Sequence, residues 1–219
     1  KLSEWVQDPT KSRAKNPRHA FGMIEPGHYM DIMCEGRLGS RSEGVTMPQL
    51  AQLCQAIAEV ARRHPELAVR FPVHLNPLVQ APVRQILGGL ANVQLGAPLG
   101  YVEMQQALAD AWLVLTDSGG LQEEAPTFGV PLLVLRDETE RPEAVEAGCA
   151  RVVGTRRPVI VEAVQMLRQD GALYQRMARA GNPFGDGTAS AQIVRQLAAE
   201  LGFGSAAASP AREQVNVVA

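Results

Sequence analysis

The sequence predicts an α/β fold in which a parallel sheet is covered by helices on both faces. Three observations carry this prediction. The 219 residues are 46 % hydrophobic and 20 % charged, which suits one large globular domain or two small ones. Short, near-continuous apolar runs such as 112–116 have the pattern of strands buried on both faces. Segments with apolar residues at helical spacing alternate with those runs, and this alternation is typical of a doubly wound sheet.

The elements follow one another regularly from residue 47 onward. Leu50, Leu53 and Ile57 recur at helical spacing after Pro48, and this first helix ends near Pro65. The predicted strands are 68–73, 93–95, 112–116, 132–135 and 151–153, with one further strand at 29–34. The later helices are 79–87, 101–109, 119–128, 142–147, 160–167, 174–180 and 189–201.

The composition excludes several classes of protein. Lys and Arg number 21 against 23 Asp and Glu, so the net charge of -2 gives no general attraction to nucleic acid or anionic lipid. No apolar run approaches the ~18 residues of a membrane span. The 3 cysteines form no Cys-x-x-Cys pair, and no histidine pair has metal-ligand spacing. We therefore expect reduced cytoplasmic thiols, no metal and no cofactor.

The loop after strand 112–116 carries the clearest functional signal. Ser118 is placed to cap the next helix, while Gly119 and Gly120 leave its first backbone N–H groups uncovered. Those donors and the positive end of the helix dipole suit a phosphate. Glu123 and Glu124 follow about one turn later. Because phosphates repel carboxylates, these glutamates indicate hydrogen bonds to neutral hydroxyls such as those of a ribose.

The same residue types also have structural interpretations. A glycine pair is common in a tight strand-to-helix turn, and spacing alone leaves both interpretations open. Arg136 and Arg141 follow strand 132–135 among acidic residues, and a solvated charge cluster is the simpler explanation. A guanidinium, however, suits a diphosphate, and Pro142 places Arg141 at a helix entrance. We favour a functional role for Arg141 and a structural one for Arg136.

Four stretches, in this order, resemble the motifs of one enzyme family. They are PVHLNP at 72–77, DSGGLQEEAP at 117–126, RDETERPEA at 136–144 and NPFGDG at 182–187. The chain looks like the bacterial non-hydrolysing UDP-N-acetylglucosamine 2-epimerases over about residues 47–201. The resemblance implies a Rossmann-like lobe of the two-lobed glycosyltransferase-B type, in which the C-terminal lobe holds UDP.

The resemblance also implies a division of the chain. We expect an unassigned segment at 1–46, a UDP-binding lobe at 47–204 and a loose C-terminal tail at 205–219. Residues 1–46 are too few for the family's N-terminal lobe. We therefore expect a fragment, a degenerate relative, or a module whose partner lobe lies on another polypeptide.

The family's binding residues are carried over by motif position. The resemblance assigns UDP binding to Ser118, Gly119, Gly120, Glu124, Arg141 and Tyr101. The first three would contact the diphosphate and Glu124 the ribose hydroxyls, while Arg141 would lie against the diphosphate or the sugar. Tyr101 belongs to the loop that contacts uracil in the family. His74 falls where some bacterial members hold a second, allosteric UDP-N-acetylglucosamine.

The implied reaction interconverts UDP-GlcNAc and UDP-ManNAc, by anti-elimination of UDP and its re-addition with inversion at C2. The catalytic residues stay unassigned, because the family's acidic residues belong to the N-terminal lobe. Its His-Arg-Arg-Glu-Asn motif would fall at 37–44, where this chain has Arg37 and Arg41 but no histidine. We therefore expect UDP binding with weak or no epimerisation by the chain alone.

Two alternatives stay open, a UDP-sugar-dependent glycosyltransferase lobe and a non-catalytic nucleotide-sugar-binding or assembly module. Ile193, Leu197 and Leu201 share one face of the last helix, which we expect in the core. In two-lobed relatives this helix crosses toward the other lobe, so part of the face could instead be exposed. An exposed apolar stripe would promote a homodimer or contact with a partner lobe.

Overall fold

A computed structural model describes residues 29–33 and 46–202, and it confirms the predicted α/β fold. The strands are β1 Tyr29–Met33, β2 Ala68–Pro72, β3 Val93–Gly96, β4 Ala111–Thr116, β5 Leu132–Val134 and β6 Ala150–Val152. They form a six-stranded sheet in the order β3-β2-β1-β4-β5-β6, and every neighbouring pair is parallel. The predicted strand at 29–34 is therefore present, and it lies between β2 and β4 near the middle of the sheet.

The helices lie close to their predicted positions. They are α1 Met47–Arg63, α2 Pro77–Leu87, α3 Tyr101–Asp110, α4 Gly119–Glu124, α5 Pro142–Glu146, α6 Arg157–Gln169, α7 Gly171–Arg179 and α8 Ala189–Glu200. The helix expected over 119–128 changes at Ala125 into a 3-10 helix, Ala125–Phe128. Gly129 ends it with a φ of 69°, a left-handed conformation in which glycine is the favoured residue.

Both faces of the sheet are covered, as the apolar strand runs predict. Strand β4 contributes to two core clusters: Leu113 and Leu115 share one with residues of α1 and α6, whereas Val114 shares the other with residues of α3 and α4. All six residues of β4 are buried. A strand buried on both faces shows no polar alternation, which explains why its sequence reads as one apolar run.

Trp112, predicted to lie in the core, is 4 % exposed at the start of β4. Its ring stacks on that of Tyr174 from α7, with ring centroids 5.4 Å apart and an interplanar angle of 7°. The Tyr174 hydroxyl donates a hydrogen bond of 2.9 Å to the Trp112 carbonyl oxygen. Burial raises the pKa of Tyr174 well above its ordinary value of 10.0, because the phenolate would be desolvated there.

Helix α8 belongs to a second compact unit that begins at Gly185. No residue of α8 is buried, and Ile193, Leu197 and Leu201 are 58 %, 51 % and 68 % exposed. The expectation that this face lies in the core is therefore wrong, and the alternative that it is exposed applies. Helical spacing defines an apolar face but does not reveal whether anything covers it.

Within the described ranges, no helix is both long and apolar enough to span a membrane. The division of the chain at residues 46 and 204 stays a prediction.

Candidate functional site

The sheet order places a topological switch point between β1 and β4. From these two strands the chain winds toward opposite edges of the sheet. In open α/β sheets, ligands bind beside the carboxyl ends of the strands at such a point. The loop after β4 leads into α4, and the neighbouring strand β5 leads into the loop that ends at Arg141. The sequence-predicted residues around Ser118 and Arg141 therefore lie at one edge of the sheet.

Ser118 occupies the N-cap position of α4, as predicted, and is 3 % exposed. Its backbone N–H donates a hydrogen bond of 3.0 Å to Oγ1 of Thr116. Its side chain makes no capping hydrogen bond to the helix. The Thr116 side chain fixes the turn into α4 instead.

Gly119 and Gly120 are the first two residues of α4, and neither has a positive φ. Their backbone conformation is therefore open to other residues, in contrast to that of Gly129, whose φ is positive. A Cβ atom on Gly119 would lie 3.8 Å from Nη2 of Arg141, and one on Gly120 would lie 3.9 Å from Oγ of Ser118. Both are ordinary van der Waals distances. The turn would therefore accept an alanine at either position, so neither the backbone conformation nor the packing requires glycine there.

Arg141 occupies the N-cap position of α5, with Pro142 in the first turn as predicted. Its Nε donates a hydrogen bond to the Glu123 carboxylate, and its Nη1 donates one of 3.0 Å to the Glu140 carbonyl oxygen. The hydrogen bond to Glu123 is the main reason why the pKa of Arg141 lies above the ordinary value for an arginine. The guanidinium thus stays charged at the entrance to α5, beside Gly119.

Two polar residues that the motif comparison did not single out connect these loops. Gln122 is 1 % exposed, and its Nε2 donates a hydrogen bond of 3.1 Å to the Ser118 carbonyl oxygen. Its Oε1 accepts a bond of 2.5 Å from the hydroxyl of Thr139, which in turn accepts one of 3.0 Å from the Arg141 N–H. Sequence periodicity carries no signal for such a pair, because Gln122 lies in α4 and Thr139 in the loop before α5.

The two adjacent glutamates have different partners. Glu123 accepts from Arg141, whereas the Glu124 carboxylate accepts from Nε2 of Gln105 on α3. Both glutamates are partly exposed. Glu123 is therefore paired with the cationic Arg141, whereas the partner of Glu124 is the uncharged amide of Gln105.

Tyr101 and His74 follow strands β3 and β2, farther along the same edge of the sheet. Tyr101 begins α3 and is 75 % exposed. His74 is also exposed, and its Nδ1 accepts a hydrogen bond of 3.1 Å from the Asn76 N–H of its own loop. In the part of the chain that the structure describes, neither side chain is hydrogen-bonded to Ser118, Glu124 or Arg141.

Two further candidates, Arg37 and Arg41, lie outside the described residues. Among those that are described, no group of three or more His, Cys, Asp or Glu residues has the arrangement of a metal site.

Comparisons of the sequence and of the fold with known proteins both find the family that the four motifs resemble. Residues 40–198 match the family model described as UDP-N-acetylglucosamine 2-epimerase. The UDP-N-acetylglucosamine 2-epimerase of Yersinia pestis is 51 % identical over 196 residues, which cover 88 % of this chain and 51 % of that protein.

Two solved structures have the same fold. Staphylococcus aureus MnaA, solved with UDP, has a TM-score of 0.73 and 33 % identity over 92 % of this chain and 52 % of its own. The Neisseria meningitidis UDP-GlcNAc 2-epimerase bound to UDP-GlcNAc has a TM-score of 0.72 and 34 % identity, over 90 % and 51 % of the two chains.

This chain thus spans about half the length of its relatives. The predicted Rossmann-like lobe of a glycosyltransferase-B-type fold is confirmed by these structures. The chain belongs to the UDP-N-acetylglucosamine 2-epimerase family.

Proposed function

We propose that the loops after β4 and β5 bind the UDP portion of UDP-N-acetylglucosamine. Ser118, Gly119 and Gly120 contact the diphosphate, Arg141 supplies a cation beside it, and Glu124 accepts hydrogen bonds from the ribose hydroxyls. Tyr101 lies in the loop that contacts uracil. This assignment is supported by relatives that were solved with UDP and with UDP-GlcNAc.

The observation that carries the proposal is the glycine pair beside a guanidinium. Neither Gly119 nor Gly120 needs to be glycine for the backbone or for packing, since an added Cβ would meet nothing closer than 3.8 Å. What glycine does provide is access for a ligand to the first backbone N–H groups of α4, which have no partner within the helix. Arg141 adds a permanent positive charge at the same place.

The reaction that fits this site is epimerisation at C2 by elimination and re-addition of UDP. Departing UDP gains negative charge, which Arg141 and backbone N–H groups stabilise. Proton transfer at C2 needs a positioned base as well. The resemblance places that base in the family's N-terminal lobe, and no residue of this chain is assigned to the role. We therefore expect the chain by itself to bind UDP and to epimerise UDP-GlcNAc weakly or not at all.

Calorimetric titration of the full chain with UDP tests the binding site. We expect saturable binding that weakens roughly 10- to 100-fold in Glu124→Ala, the range for hydrogen bonds to a charged group. Glu162→Ala, which removes an exposed glutamate of α6, serves as the matched control and keeps the wild-type affinity. A folded chain that shows no saturable binding would overturn the proposal.

A separate turnover assay tests the second part of the proposal. The purified chain is incubated with UDP-GlcNAc, and formation of UDP-ManNAc is followed over time. Turnover as fast as that of a full-length relative would show that the chain supplies its own base, against the expectation of weak activity.

A second candidate, a module that acts through assembly, is favoured by one observation. Ile193, Val194 and Leu197 on α8 are each more than half exposed and form an apolar surface. Size-exclusion chromatography tests self-association, and a monomer at all concentrations would count against this candidate.

A further inference from the structure

We propose that Thr139 is a positioning residue that holds Arg141 over the phosphate-binding loop, through a buried connection to Gln122. The inference rests on the UDP site proposed above and concerns how that site is kept in place before a ligand arrives. Neither Thr139 nor Gln122 would touch the nucleotide.

Three hydrogen bonds link Arg141 to Ser118 through Thr139 and Gln122, and in each of them the residue nearer to Arg141 is the donor. The Arg141 N–H donates to Oγ1 of Thr139, so the single hydroxyl proton of Thr139 is used toward Oε1 of Gln122. Nε2 of Gln122 then donates to the Ser118 carbonyl oxygen. Only one orientation of the Gln122 amide satisfies both bonds, with Oε1 toward Thr139 and Nε2 toward Ser118. The flipped amide would place two donors against each other at Thr139 and two acceptors at Ser118.

The position of Gln122 makes this connection rigid. The side chain is 1 % exposed, and an unsatisfied amide there would carry a desolvation penalty. Gln122 therefore favours the arrangement in which Thr139 and Ser118 are both bonded to it. The loop after β5 is thereby fastened to the loop after β4, which carries the glycine pair.

Arg141 needs such a support because the short helix α5 does little to fix its backbone conformation. α5 is only five residues long, and Arg141 precedes it with φ and ψ of −124° and 61°, outside the helical region. With the backbone fixed by Thr139, Nε bonds to Glu123 and Nη1 to the Glu140 carbonyl oxygen. The guanidinium then lies with Nη2 beside Gly119, already in place for a phosphate oxygen.

The test compares Thr139→Val, which removes the hydroxyl at nearly constant shape, with Thr139→Ser, which keeps it. Affinities for UDP and for uridine are measured on both variants and on the wild type, by calorimetry and NMR titration. Loss of one hydrogen-bonded support predicts UDP binding about 3- to 10-fold weaker in Thr139→Val, with uridine binding unchanged. Thr139→Ser should bind both as the wild type does.

A purely structural role would lower thermal stability without changing the ratio of UDP to uridine affinity. That result in Thr139→Val would overturn the inference. The proposed function would still stand if Arg141→Ala lost affinity for UDP in the same series. A folded wild-type chain without UDP binding would instead overturn the proposed function itself.

A measurement without ligand tests the positioning directly. The Nε–H of Arg141, bonded to Glu123, should give a resolved NMR signal that exchanges slowly with water in the wild type and in Thr139→Ser. In Thr139→Val the exchange should become faster, because the backbone at Arg141 is released. An equally protected signal in Thr139→Val would overturn the inference whatever the nucleotide affinities are.

Discussion

The two sides of the ligand-binding edge of the sheet are built differently. On the β4–β5 side, polar side chains are partly or fully buried and cross-link separate loops, as Gln122 does between Ser118 and Thr139. On the β2–β3 side, Tyr101 is 75 % exposed and His74 is bonded within its own loop. The side assigned to the diphosphate is therefore organised in advance, whereas the side assigned to the uracil is open.

This difference suits the chemistry proposed for each side. A charged diphosphate gains most from donors that are already oriented, because orienting them during binding would reduce the affinity. A planar base gains mainly from contact area, which an exposed aromatic ring can supply by moving. The comparison leads to four expectations, taken from the largest effect to the smallest.

The largest expected effect is that of Arg141→Ala on UDP affinity. Loss of a charge-assisted contact to the diphosphate should weaken binding by about 10- to 100-fold, measured by calorimetry. Arg136→Ala is the matched control, since Arg136 lies in the same loop but was assigned a structural role. Equal losses of affinity in the two variants would remove the distinction between these arginines.

Gly119→Ala and Gly120→Ala should each lower the affinity for UDP without lowering the stability of the fold. An added Cβ meets only ordinary contacts, and alanine favours the first turn of α4, so the melting temperature should stay the same or rise. UDP affinity should fall about tenfold, because the methyl group covers the approach to the backbone donors. Unchanged affinity in both variants would return the glycine pair to a purely structural explanation.

Tyr174→Phe should weaken the scaffold under β4 and leave the site intact. Removing the hydroxyl leaves the Trp112 carbonyl without this donor, which should lower the free energy of unfolding by about 1–2 kcal/mol in urea denaturation. UDP affinity of the folded variant should not change. A loss of UDP affinity would mean that the site depends on this part of the core.

The same variant has an expected pH dependence. Tyr174 stays neutral in the folded state because burial raises its pKa, whereas the unfolded chain ionises it near pH 10.0. Its contribution to stability is therefore complete below pH 10.0 and is lost as the pH rises beyond it. The wild type should lose stability more steeply than Tyr174→Phe above this pH. Burial also raises the pKa of the Cys54 thiol, to about 12, but this affects both proteins equally.

The smallest effects are expected on the open side. Tyr101→Ala should lower UDP affinity at most about fivefold and leave the melting temperature unchanged, since an exposed ring contributes contact area but no packing. His74→Ala should leave UDP affinity unchanged. If His74→Ala weakened UDP binding more than Arg141→Ala did, the assignment of the two sides would have to be exchanged.

Much of the fold was predictable because it depends on patterns local in sequence. The double burial of β4 produced a continuous apolar run, and Pro142 marked the entrance to α5 correctly. The face of α8 was the failure, since Ile193 and Leu197 are exposed although their spacing suits a core helix. Amphipathic spacing depends on one segment alone, whereas burial depends on what the rest of the molecule places against it.

For the site, the sequence by itself determined the residue types and their loops. Ser118, the glycine pair and Arg141 were singled out as candidates because they follow strands, and parallel strands direct those loops to one edge. Tertiary structure alone decided how these groups are held. It paired Arg141 with Glu123, joined Thr139 to Gln122, and brought Gln105 to Glu124. Such partners lie on elements that are separated in sequence, and only the packing of the fold fixes which of them come within hydrogen-bond distance of each other.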